Sequence, residues 1–172
     1  MGQTDWPCWV PVYVGLGSNL GDSSTQLHRA KAALAALPQT VLVAASPVYR
    51  SRPFGPVAQA DFLNAVVALL SQLSPERWLQ ELQRIEIALG RSAPRVRWGP
   101  REIDLDLLAH GQTRRDDAQL SLPHPGIPER EFVLYPLRDI AADLRLGQWG
   151  TVRELAVRVS ARGIERSGSL GS

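Results

Sequence analysis

Two aspartates, Asp104 and Asp106, stand two residues apart in the run Ile103-Asp104-Leu105-Asp106-Leu107. Alternating acid and aliphatic residues is the pattern of a strand, with both acids on one face and Ile103, Leu105 and Leu107 on the other. Two residues of strand span roughly 6.6–6.8 Å, so the carboxylates project side by side. Like charges that close repel unless a cation lies between them, and hard oxygen donors suit Mg²⁺. The loop just before, residues 91–101, holds Arg91, Arg95, Arg97 and Arg101 and no acid. Guanidinium groups grip phosphate oxygens two at a time. A metal-and-phosphate site is one reading; a strand face with two solvated acids is the other.

The elements that position these groups follow from periodicity and punctuation. Residues 10–16 read as a first strand. A helix is expected over 23–37, with Ser23-x-x-Gln26 as a capping box, Leu27, Ala30, Leu34 and Leu37 as its apolar stripe and Pro38 ending it. Residues 40–50 read as one strand, 51–60 as a Pro/Gly loop and 61–71 as a strand. In that last strand Asn64 interrupts an otherwise apolar face; it either caps a sheet edge or bonds a loop, or offers its amide to a planar heterocycle. Ser74, Pro75 and Gly90 bracket a second helix, with Trp78, Leu82, Ile85 and Leu89 buried. Gln83 and Glu86 sit elsewhere on it, as an exposed polar pair on spacing alone. After the Asp strand come a polar turn or small hairpin (111–118) and a short strand at 120–122. His124 lies between two prolines, and a helix at 130–140 contains Pro136. Thr151-x-x-Glu154 opens a last helix, Ile164-Glu165 is a candidate final strand, and 167–172 reads as a frayed tail. The order β-α-β-β-α-β is that of a ferredoxin-like α+β sandwich with C-terminal additions.

Composition narrows the function classes. The chain has 172 residues, enough for one domain with a real core, here spanning 1–172 with a loose leader at 1–9. Net charge is +2, so neither a nucleic-acid coat nor a membrane-surface coat is indicated. Lys31 is the one lysine, the other cations being arginine, and the informative part is their clustering at 91–101. The single cysteine, Cys8, makes no internal disulfide and fits a reducing, cytoplasmic setting. No apolar run is long enough to span a membrane. Gly15-x-Gly17-x-x-x-Gly21 misses dinucleotide-binding spacing by one, and no P-loop occurs. The glycines are read as allowing turns where strand passes to helix.

Arg97-Trp98-Gly99-Pro100-Arg101-x-x-Asp104-Leu105-Asp106-Leu107-Leu108 resembles the signature of the 6-hydroxymethyl-7,8-dihydropterin pyrophosphokinases of folate biosynthesis. The opening Val14-Gly15-Leu16-Gly17-Ser18-Asn19-Leu20-Gly21 is similar to that family's start. Tyr49-Arg50-Ser51, Asp61-Phe62-Leu63-Asn64, Gln83-Arg84-Ile85-Glu86 and Pro123-His124 follow in family order, and the matches run across 12–137. The resemblance implies a ferredoxin-like fold and pyrophosphoryl transfer from ATP to the pterin's hydroxymethyl group, releasing AMP. It implies two Mg²⁺ ions on Asp104 and Asp106, and a catalytic set of Arg91, Arg101, Asp104 and Asp106. Gln83, Glu86, Leu107 and Ser121 would line the ATP pocket, with Arg91, Trp98, Arg101, His124 and Arg130 also on ATP. The pterin would lie between Phe62 and Phe132, with Ser51 and Asn64 on its polar edge. Phe54 and Trp98 would close over it, with Arg52 beside them and Asp104 in reach. The resemblance further implies a monomer acting on two small molecules, with no nucleic-acid or membrane partner. Ala93, Arg52 and Pro125 depart from the family pattern. Two other classes share the fold: a nucleic-acid module, which the acid pair opposes without metal, and a ligand-sensing domain without turnover.

Overall fold

The computed structural model describes residues 8–53, 55–91, 99–161 and 163–171. Its strands are β1 (Val10–Ser18), β2 (Thr40–Ala45), β3 (Pro47–Ser51), β4 (Phe62–Ser71), β5 (Asp104–His110), β6 (Arg115–Asp116), β7 (Ser121–Leu122) and β8 (Ile164–Ser169). Its α-helices are α1 (Ser23–Ala35), α2 (Pro75–Ala88), α3 (Glu131–Ala141) and α4 (Val152–Arg158). The main sheet has the order β5-β1-β4-β3-β8, with β2 also on β4, and its pairs are antiparallel. Taking β2 and β3 as one broken strand, this is the expected ferredoxin-like β-α-β-β-α-β order. β6, inside the polar stretch 111–118, pairs with β7, the short strand expected at 120–122, so the hairpin extends beyond that stretch.

Strand alternation sends the two faces of the sheet to different cores. Val12, Val14 and Leu16 of β1, Ala65, Val67 and Leu69 of β4, and Leu105 and Leu107 of β5 meet α1 and α2. There they bury Leu27, Leu34, Trp78, Leu82 and Ile85. The opposite residues, Val66 and Leu108 among them, meet Val133, Leu134, Leu137, Val152 and Leu155 of α3 and α4. The C-terminal helices therefore form a third layer. They cover only part of the second face, and the uncovered part next to α3 is where the cavity lies.

Several local expectations are corrected. α1 is capped by Asp22, whose Oδ1 accepts from Thr25 N (3.1 Å), rather than by a Ser23–Gln26 box. The carboxylate, one residue earlier, satisfies the free amides of the first turn. Gln26 instead donates to Leu89 O (2.8 Å), closing the C-terminus of α2. The single strand expected at 40–50 is broken at Ser46, whose Oγ accepts from Val66 N (2.9 Å). That side-chain bond replaces a ladder bond and separates β2 from β3. Ser74 and Thr151 cap α2 and α4 as expected, the latter in a full capping box. Of the expected frayed tail 167–172, residues 167–170 are ordered into the fold: β8 runs to Ser169, and Leu170 is buried in the main core.

Candidate active site

The middle strand of the site, β1, carries glycine at alternate positions, both facing the cavity. Gly15 pairs with Asp106 and Val66, and Gly17 with Asp104 and Asn64. These two glycines lie inside β1 and are not turn residues; of the three in the motif only Gly21 (φ +73°) is in a turn. A Cβ on Gly17 would stand 3.4 Å from Asn64 Oδ1, and one on Gly15 3.6 Å from a Leu108 methyl. Bare backbone is what leaves an open floor between the acids of β5 and the amide of β4. Above that floor is a cavity of about 350 Å³.

Asp104 and Asp106 line the cavity from β5, half-buried and on the same face, as the alternation requires. Arg101 enters from the preceding loop, with Nη1 3.7 Å from Asp104 Oδ1. Its backbone is held hard: its N donates to Asn19 Oδ1 (2.8 Å), and its O accepts from Asn19 N (3.0 Å) and Leu20 N (3.1 Å). The Asn19 amide also donates to Gln59 Oε1 (2.8 Å) and Ala60 O (2.9 Å), so one buried side chain ties the 55–61 loop to the Arg101 loop.

Arg91 and Glu86 sit one layer behind. Glu86 is buried, not part of an exposed polar face; its Oε1 accepts from Leu105 N (2.8 Å), and its Oε2 is paired with Arg91 Nη1. Its carboxylate thus joins α2 to the backbone between the two aspartates. Arg91 Nη2 is buried, has no hydrogen-bond partner among the described residues and lies 3.8 Å from Asp104 Oδ1. Donors buried in that state are rare and costly unless a ligand completes them.

His124, half-buried, accepts from Gly126 N at Nδ1 (3.0 Å), which leaves the proton of the neutral ring on Nε2. Burial pushes its pKa below the usual 6.5, against the pull of Asp106 and with the push of Arg130. Arg130 lines the cavity and lies over the Phe132 ring at 5.9 Å.

At the other end are Ser51, Arg52, Phe62, Asn64 and Phe132, all lining the cavity. Asn64 Nδ2 donates to Ser51 Oγ (2.8 Å), and both residues are buried. Asn64 lies in β4, between β1 and β3, so the sheet-edge reading of it is excluded. Gln83 is exposed on α2, and neither it, Leu107, Ser121, His124, Glu86 nor Arg91 lines this cavity. Leu107 points into the α1/α2 core. Ser121 borders a second cavity of about 380 Å³, beside Arg115 and Trp149. Phe54 and Trp98 lie outside the described residues. Gln59, Gly126 and Glu129 line the main cavity and were not singled out from the sequence.

The sequence of the 7,8-dihydro-6-hydroxymethylpterin-pyrophosphokinase family matches residues 13–142, most of the chain. The chain belongs to this family. A Pseudomonas aeruginosa relative named 2-amino-4-hydroxy-6-hydroxymethyldihydropteridine pyrophosphokinase is 46% identical over 155 residues, 90% of this chain and 95% of the relative. A Methylorubrum extorquens protein of the same name is 47% identical over 154 residues, covering 90% and 96%. Among solved structures, a Plasmodium falciparum HPPK-DHPS chain superposes with a TM-score of 0.70 over 90% of this pyrophosphokinase-family chain and 46% of that one. At 13% identity that likeness speaks for the fold alone.

Proposed function

We propose that this pyrophosphokinase-family protein transfers the terminal diphosphate of ATP to the hydroxymethyl group of 6-hydroxymethyl-7,8-dihydropterin, releasing AMP. The observation that carries the reading is the pairing of Asp104 and Asp106 on a glycine floor, with Arg91 Nη2 and Arg101 Nη1 each within 4 Å of Asp104 Oδ1. The hydroxyl oxygen attacks the β-phosphorus, the bond from that phosphorus to the α-phosphate oxygen breaks, and the hydroxyl proton is lost.

The donor set fits Mg²⁺. Two half-buried carboxylates supply hard oxygens, and among the described residues no larger His/Cys/Asp/Glu group surrounds them. That is the arrangement of an ion that takes one or two carboxylates and completes its shell with phosphate and water. Asp104 and Asp106 would hold two such ions, which would neutralise phosphate charge and lower the pKa of the hydroxyl. The chain's own contribution is placement and fixed charge. Arg91 and Arg101 grip the triphosphate, with Arg91 oriented by its buried pair with Glu86. His124 offers its Nε2 proton to a phosphate oxygen, and Arg130 supplies a further cation. Gln83 and Ser121 take the adenosine side, whereas Leu107, buried in the α1/α2 core, does not.

The pterin lies between Phe62 and Phe132, its polar edge on Ser51 and Asn64 and Arg52 beside it. Asn64 Oδ1 suits the amino-pyrimidinone edge, because its Nδ2 already donates to Ser51 Oγ. The protein acts in the cytoplasm as a monomer, a setting its single cysteine fits.

Asp104→Asn and Asp106→Asn test the site. Each is expected to lower kcat by at least about 10²-fold, on the scale of losing a preorganised electrostatic group, with little change in thermal midpoint. Near-full turnover in either variant would remove that aspartate from the metal site.

A further inference from the structure

The matched family segment ends at residue 142, yet β8, further along the chain, is hydrogen-bonded to β3, the strand leading into Ser51 and Arg52. The pairing runs from Pro47↔Ser169 to Ser51↔Ile164. One residue on, Arg52 N donates to Gly163 O (3.3 Å). Gly163 has φ +79°, and a Cβ there would stand 3.3 Å from Arg52 Cδ and 3.6 Å from Nε. The stem of Arg52 therefore rests on bare backbone at the start of β8.

β8 is itself fixed at both ends. Leu170 is buried in the main core, and Lys31 Nζ donates to Leu170 O (2.9 Å) and Gly171 O (2.8 Å). Arg166 Nε donates to the Tyr49 hydroxyl (3.0 Å), and its Nη2 pairs with Asp139 (3.0 Å). The Tyr49 hydroxyl donates to the same carboxylate (2.5 Å). The strand is thus locked to β3 and to α3, the two elements that wall the Ser51–Phe132 end of the cavity.

We infer that β8 is a positioning element of the substrate site, holding the Arg52 guanidinium at the end of the cavity marked by Ser51 and Asn64. A guanidinium presents donors only, so it complements the ring-nitrogen and carbonyl acceptors of a pterin. Gly163 and Arg166 act through Arg52 and touch no substrate. The inference rests on the reading of this end as the pterin end.

Steady-state kinetics with each substrate varied in turn test it, on Arg52→Ala, Gly163→Val, Arg166→Ala and the two double variants with Arg52→Ala. Arg52→Ala is expected to raise the pterin KM about tenfold, the scale of one charged hydrogen bond, and to move the ATP KM far less. Gly163→Val and Arg166→Ala raise the pterin KM when Arg52 is present and add nothing when it is alanine. Arg166 has an exposed side chain, so its variant decides the matter if the strained Gly163→Val does not fold. An unchanged pterin KM in Arg52→Ala overturns the inference. So do β8 variants that leave KM unmoved, or that raise it equally in both backgrounds. A raised ATP KM with an unmoved pterin KM in Arg52→Ala instead overturns the placement of the pterin at this end.

Discussion

His124 shows how a single residue is set by its surroundings. Its Nδ1 is occupied by the Gly126 amide, and burial holds its pKa below 6.5. In the unfolded chain the ring takes a proton near 6.5, whereas the folded protein resists it until lower pH. The unfolded state therefore binds more protons in that window, and stability falls as pH drops through it. Urea midpoints between about pH 7 and pH 5 should decline less steeply in His124→Asn than in the parent; parallel curves would contradict this. Some residues of the site were legible because their evidence is local. Asp104 and Asp106 announce a shared face by spacing alone, and their register opposite Gly17 and Gly15 agrees. Glu86 was not legible, because its partners, Leu105 N and Arg91, become neighbours only when α2 packs beside β5. Gln59 comes from a loop and Glu129 from a three-residue 3-10 turn, neither with a periodicity to read, and only the folded cavity collects them. Gly15 and Gly17 did carry a signal: glycine at i and i+2 of a strand strips one face of side chains. Reading them as turn residues overlooked it.

At the scale of elements, the strand and helix order could be read from alternation, caps and proline stops, and the sheet follows it. The misses are where tertiary contacts override local pattern. Ser46 breaks a strand because its hydroxyl reaches Val66 N across the sheet. Ile164-Glu165 reads as a candidate strand but the polar, glycine-containing end of β8 from Ser167 looks like a tail, yet β3 offers it an edge and Leu170 anchors it. That anchoring predicts a measurable cost. Leu170→Ala should lower stability by roughly 2–5 kcal/mol, as for a large buried aliphatic removed from a core. Chemical denaturation reads this directly; a loss below about 0.5 kcal/mol, typical of a surface site, would show that β8 is not integral to the fold.

For the whole molecule, the two faces of one sheet divide the work. One face, with α1 and α2, is packed with aliphatic side chains; the other is left partly open, floored by glycine and walled by α3. Under the proposed function, Arg91 and Arg101, not the modest net charge of +2, would give that opening a preference for phosphate. The same sheet with a filled floor would be an ordinary two-core α+β domain. The most direct measurement is product analysis with ATP, Mg²⁺ and 6-hydroxymethyl-7,8-dihydropterin. AMP should appear together with the pterin diphosphate, only when the pterin is present, and should cease when EDTA removes the metal. ADP in place of AMP, AMP formed without the pterin, or turnover that persists in EDTA would contradict diphosphate transfer at the Asp104–Asp106 site.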